Sequence, residues 1–323
     1  VFKLYCALLV VMIHCSEVYE GHPVAMGIVQ CLSSQAVPFF MVVSGFFIGN
    51  KLFLNNNTSS IWKSVKSWLL LYFAWAVLWL PYLSITYIDK YPDASTGYVA
   101  LMLVRRILFA GQGVYWYLLV LAETAIILSI FIKFKKLTWF YVIGALGLIL
   151  GLLFDANVTT LGLGKLNSIV YTIFSWSNNV FMKGIPYVAI GLLFSKYYGK
   201  IKIKNWLLIA IYFTVTIGMI FLYCIGMNRW LCFYLIQAVC LFMIAIQFTH
   251  ERFRQSTVVM CRNLSTAIYF LHTIFIYGVI DPALGIDSPV LLKFCCAVLG
   301  SCIIYFVVNQ SQIRPFKWLL NVK

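Results

Sequence analysis

Ten apolar stretches, each near the length of a membrane-crossing helix, alternate with short polar connections along this chain. Crossing the hydrocarbon core of a bilayer takes about 20 helical residues. The stretches that qualify are residues 3–18, 31–49, 67–87, 113–132, 138–154, 179–197, 205–225, 230–248, 264–280 and 289–309. Residues 97–110 are also apolar, but Arg105 and Arg106 sit inside them. That pattern fits a helix lying in the membrane interface. Backbone polar groups in lipid must bond within their own segment, so each run predicts a helix. The expected fold is an all-α integral membrane domain with about ten transmembrane helices. No long glycine-, proline- or charge-rich linker interrupts it, so residues 1–323 read as a single transmembrane domain.

Composition supports the same solvent. Of the 323 residues 63% are hydrophobic and only 10% charged, with a mean hydropathy of +0.94. Soluble domains carry about 25% charged residues, so this chain could not cover itself in water. The lipid bilayer is its first expected partner. A net charge of +15 would suit nucleic acid, but the basic residues sit in clusters between apolar runs. Alternate connections hold Lys51, Lys63 and Lys66; Lys133, Lys135 and Lys136; Lys196, Lys200, Lys202 and Lys204; Arg252, Arg254 and Arg262. With Lys3, Arg314, Lys317 and Lys323 at the ends, 17 of the 24 basic residues fall on one side. The opposite connections carry Glu17, Glu20, Asp89, Asp93, Asp155, Asp281 and Asp287. The basic side is expected in the cytoplasm, together with both termini, and no nucleic-acid partner is expected. The first run holds His14 and Glu17 without a small-residue cleavage site, so it does not read as a signal peptide. The ten cysteines show no CxxC spacing, which supports neither a disulfide framework nor a metal site.

Polar groups inside spans are costly and mark functional sites. In the first span His14 lies 11 residues beyond Lys3, about 16 Å along the helix, with Glu17 one turn further. An imidazole beside a carboxylate can serve as a general base. The plain alternatives are a snorkelling lysine and a packing histidine. In the second span Pro38 is expected to kink the helix, and Ser44-Gly45 offers a hydroxyl or a close-packed seam. Around residue 115, Tyr115, Trp116 and Tyr117 form an interfacial belt or a stacking platform, and Glu123 lies deep in the same span. In the ninth span Ser265, Tyr269 and His272 share one stripe, with Ser265 also placed to cap the helix start. Lys183, Arg229 and His22 read as outer anchors, and His250 as a solvated residue.

These motifs resemble the membrane-bound acyltransferase family 3, which includes O-acetyltransferases of surface polysaccharides. The resemblance rests on Lys3-x10-His14, on Pro38-Phe39-Phe40 with Ser44-Gly45-Phe46, on Trp116-Tyr117-Leu118, and on Ser265-x3-Tyr269-x2-His272. They occur in family order across nearly the whole chain. Lysine stands where the family usually has arginine, and the usual glutamate position is Leu121, with Glu123 two residues on. The wording is similar to the branch that includes the membrane portion of vancomycin-resistance serine racemases.

The resemblance implies a bacterial cytoplasmic-membrane O-acyltransferase. No cofactor is expected to be permanently bound. Acyl-CoA, with acetyl-CoA the expected donor, is the co-substrate, and a glycan or lipid-linked hydroxyl the acceptor. Lys3, Lys63 and Lys66 are expected to meet the donor phosphates, with Ser44, Ser265 and Tyr269 around the acyl group. His14, oriented by Glu17, and His272 are the expected catalytic residues. Tyr115, Trp116 and Glu123 are expected to hold the acceptor. The competing readings are a transporter for a small molecule such as serine, and a structural membrane partner. Oligomeric state is not legible.

Overall fold

The computed structural model describes residues 1–15, 23–54, 58–110, 113–156, 179–197, 200–201, 203–225, 231–248, 254–285, 288–311 and 313–320. Among these residues there are helices and turns and no strand. In chain order the α-helices are α1 (Phe2–Cys15), α2 (Pro23–Ser33), α3 (Ala36–Phe53), α4 (Ser59–Lys90), α5 (Thr96–Arg105), α6 (Trp116–Lys133) and α7 (Leu137–Ala156). There follow α8 (Ile185–Tyr197), α9 (Asn205–Cys224), α10 (Leu231–Phe248), α11 (Gln255–Thr273), α12 (Asp281–Leu284), α13 (Val290–Gln310) and α14 (Arg314–Leu319). Wide π-helical turns occupy Arg106–Ala110, Val180–Gly184 and Ile274–Ile280.

Six helical segments among the described residues are long and apolar enough to cross a membrane: Val24–Phe53, Ser59–Lys90, Gly113–Lys133, Asn205–Cys224, Gln255–Leu284 and Val290–Gln310. Shorter apolar helices cover Phe2–Cys15, Leu137–Gly151 and Phe233–Phe248. The chain is a multi-pass membrane protein, with helices and no strand among its described residues. Large apolar side chains such as Leu78, Phe213, Ile217 and Ile303 stay exposed, as lipid-facing residues must.

Three local expectations change. Pro38 does not kink a helix interior. The chain breaks at Ser34-Gln35, and Pro38 is the third residue of α3. Its missing N–H costs nothing in a first turn, where that group has no intrahelical partner. The ninth span begins at Gln255 rather than 264, so Ser265 is no cap. It lies inside α11, its hydroxyl donating to the Arg262 carbonyl at 2.7 Å. Likewise α4 starts at Ser59, so Lys63 and Lys66 are exposed residues of a 32-residue helix rather than of a loop.

The chain forms two compact units, Val1–Val43 with Tyr197–Lys323, and Ser44–Lys196. In the first, α1 packs along α11, α11 along α13, and α9 against both α10 and α2. In the second, α4 lies along α6, and the π turn Val180–Gly184 is set against α6 and α7. Asn179 opens that turn by accepting from the Phe181 and Met182 amides, each at 2.9 Å. A seam joins the end of α3 to α8 within this unit: Ser195 donates to Asn50 at 2.7 Å, and Gly45 faces the backbone of Val188. Any Cβ at 45 would overlap the Val188 carbonyl, which as helix backbone cannot swing aside. Gly45→Val is therefore expected to destabilise the protein by about 1–3 kcal/mol, the usual cost of overpacking. Thermal unfolding in detergent measures this, and a variant as stable as the parent would refute the seam.

Candidate functional site

The close approach of α1 to α11 starts with small residues. Ala7, Val11 and Cys15 recur every four positions on α1, and all are buried. They form one apolar cluster with Ile268, Ile276 and Ala297, flanked by Phe40, Phe275 and Phe294. Short side chains on one helix let the neighbouring backbone come near, the usual arrangement in lipid. On the far side of the π turn, α13 follows the same logic, with Gly300 leaving room for the ring of Phe275.

His14 sits between Val11 and Cys15 on this seam, and His272 follows Ile268 by one turn. Their rings meet, with centroids 5.3 Å apart and planes tilted by 45°. His14 is half-buried, whereas His272 has 0% exposure. Nδ1 of His272 lies 2.8 Å from the carbonyl of Ile268. A carbonyl only accepts, so Nδ1 carries the hydrogen and the neutral ring keeps its lone pair on Nε2. That Nε2 has no hydrogen-bond partner among the described residues. A buried nitrogen left unpaired is rare and calls for an explanation.

Tyr277 completes the group. Its hydroxyl is 3.1 Å from Nδ1 of His14, and its ring meets the His14 ring edge-on, with centroids 6.2 Å apart. Sequence reasoning missed it for a geometric reason. At 3.6 residues per turn, five residues after His272 is about 140° around the helix. The intervening turn is π-helical, with an i→i+5 repeat, and this brings Tyr277 back to the side of His272. Such turns inside α-helices are often found at functional sites.

At the N-terminal end of α1, Lys3 is half-buried and has Arg262 of α11 as an electrostatic neighbour. Arg262 also donates to the Asn263 side chain at 3.3 Å. The two helices that carry the histidines thus each contribute a cation at that end. Tyr269 is half-buried, with its ring against Phe270 at 5.1 Å. Further along, Lys293 of α13 is 1% exposed and pairs with Asp281 at 2.7 Å. The sequence hides this pair, because a lysine four residues into a span reads as an interfacial anchor.

The remaining candidates belong to the second unit. Ser44 shares a hydrogen bond of 3.1 Å with Tyr117. Tyr115 is 1% exposed, its ring stacked on Trp75 and its hydroxyl accepting from Trp79 at 2.9 Å. Trp116 opens α6 half-buried. Glu123 is also half-buried, and has no hydrogen bond or ion pair among the described residues. Glu17, His22, Arg229 and His250 lie outside the described residues.

No curated protein and no solved structure matches the chain. A family model described as an acyltransferase domain matches residues 1–309. The match takes in α1 with His14, α11 with His272 and the π turn between α11 and α12. With nearly its whole length covered, the chain belongs to the membrane-bound acyltransferase family 3.

Proposed function

We propose that the protein is an O-acyltransferase of the bacterial cytoplasmic membrane, with ten spans and both termini in the cytoplasm. It moves an acyl group, acetyl in the simplest case, from cytoplasmic acyl-CoA to a hydroxyl of a surface glycan or related acceptor. The observation that carries this reading is the contact between His14 and His272, two imidazoles from separate helices meeting within the helical bundle at 5.3 Å. The donor phosphates would lie against Lys3 and Arg262, which suit an anion at the α1 end. Lys63, Lys66, Ser44 and Glu123 remain proposed donor and acceptor contacts.

The chemistry is acid–base catalysis of acyl exchange. A histidine nitrogen takes the proton of the acceptor hydroxyl as its oxygen attacks the thioester carbonyl carbon. The tetrahedral centre collapses, the carbon–sulfur bond breaks, and the departing thiolate takes up that proton to leave as CoA thiol. Nothing is oxidised or reduced. Small-residue contacts keep the two rings together, so the reacting groups need little reorganisation.

The test uses purified protein in detergent with radiolabelled acetyl-CoA. Release of CoA thiol, with label on acceptor, water or enzyme, is expected from the parent protein. His14→Ala is expected to lose it while keeping the same expression and elution profile. Turnover that survives His14→Ala would refute the role given to the pair. Substrate flux in vesicles without thiol release would make the protein a transporter.

A further inference from the structure

The hydrogen bond between His14 and Tyr277 has a direction. An imidazole nitrogen without hydrogen is a far more basic acceptor than a phenol oxygen, and the phenol O–H is the better donor. The stronger of the two possible arrangements therefore has Tyr277 donating to Nδ1 of His14, across 3.1 Å. That leaves the hydrogen of the neutral His14 ring on Nε2. His272 is fixed the other way, with Nδ1–H bound to the Ile268 carbonyl at 2.8 Å and Nε2 without a hydrogen-bond partner among the described residues. From these two bonds we infer that Tyr277 is a positioning residue that splits the histidine pair into unlike halves, His14 presenting an Nε2–H donor and His272 an Nε2 acceptor.

The division goes beyond membership of the family and deepens the acyl-transfer reading, on which it rests. The reaction needs one group of each kind. A donor polarises the thioester carbonyl and steadies the oxyanion as the tetrahedral centre forms. An acceptor removes the proton of the attacking hydroxyl and passes it to the thiolate as the carbon–sulfur bond breaks. Two identical bases 5.3 Å apart would supply only the second. The tyrosine reaches His14 because the π turn Ile274–Ile280 returns it to the face of His272. A hydroxyl that sets the tautomer of a neighbouring imidazole acts as outer-shell partners do elsewhere, where their loss costs about 10–100-fold in activity.

Two readouts test the inference, one without catalysis. Nitrogen-15 chemical shifts of the imidazoles, measured on the full-length protein labelled at histidine, separate a ring nitrogen that carries hydrogen from one that bears a lone pair, and the His14→Gln and His272→Gln variants assign the signals. His14 is expected as the Nε2–H tautomer and His272 as the Nδ1–H tautomer. Tyr277→Phe, which removes one oxygen and keeps the ring, is expected to move the Nδ1 shift of His14 and to leave His272 unchanged. In the acetyl-CoA assay the same variant should lower kcat about 10–100-fold with KM for acetyl-CoA unchanged. The same tautomer at both histidines in the parent protein would overturn the inference, whether or not the variant folds. So would a Tyr277→Phe protein whose His14 shifts match the parent. Absence of thiol release from the parent protein would instead remove the acyl-transfer reading, and the shifts would still decide the tautomers.

Discussion

His272→Gln is expected to lower acyl transfer by about 10²–10⁴-fold, the range supplied by a positioned general base. Glutamine can place an amide near the position of Nε2 and so keeps a polar group of similar reach. It cannot accept a proton. His14→Gln is expected to fall less, because its amide still offers an N–H where the donor is needed, and removal of a single oxyanion donor costs about 10²–10³-fold. The contrast between the two glutamine variants matters more than either value, since both substitutions disturb the same seam. Because His272 is fully buried, thermal unfolding must accompany the kinetics. If His14→Gln proves the more damaging of the two at equal stability, the base is His14 and the assignment of the pair is reversed.

The second large effect is on stability. Breaking a buried ion pair by removing one partner leaves an uncompensated charge and costs about 3–5 kcal/mol. Lys293 and Asp281 form such a pair, with side chains 2% and 13% exposed and 2.7 Å between charged atoms. Lys293→Met and Asp281→Leu should each destabilise the protein by about that amount, while the double variant should recover most of the loss. Apolar groups of similar volume can replace a buried pair at little cost. Tryptophan-fluorescence melts in detergent read this cycle directly. Single variants as stable as the parent, or losses that simply add, would show that the two charges do not depend on each other.

Much of this was legible in the chain before any coordinates, and the parts that were not fail for identifiable reasons. Hydropathy located the helices because lipid tolerates no unpaired backbone. His14 and His272 stood out because ionisable groups in spans are rare. The start of α11 was misplaced because Gln255, Ser256, Arg262 and Asn263 lower local hydropathy while remaining helical. Hydropathy measures the fit to lipid, not the length of the helix. Pro38 was misread because a proline in a first turn and one in an interior look alike in sequence. Tyr277 was invisible because every stripe was drawn at 3.6 residues per turn, and no propensity scale marks where a helix widens. The Lys293–Asp281 pair joins positions on either side of a turn, and a single sequence gives no hint of that partnership.

The widened turn at Ile274–Ile280 acts as a phase shifter in an otherwise regular screw. One surplus residue there sets the azimuth of everything downstream, so the tyrosine that meets His14 and the carboxylate that meets Lys293 are timed by the same device. Excising a single residue from it would leave the apolar length almost unchanged and rotate the rest of the segment by about 100°. Composition would register nothing, yet both contacts would come undone together. Insertions and deletions in this stretch should therefore be far less tolerated than its bland run of aliphatic letters suggests.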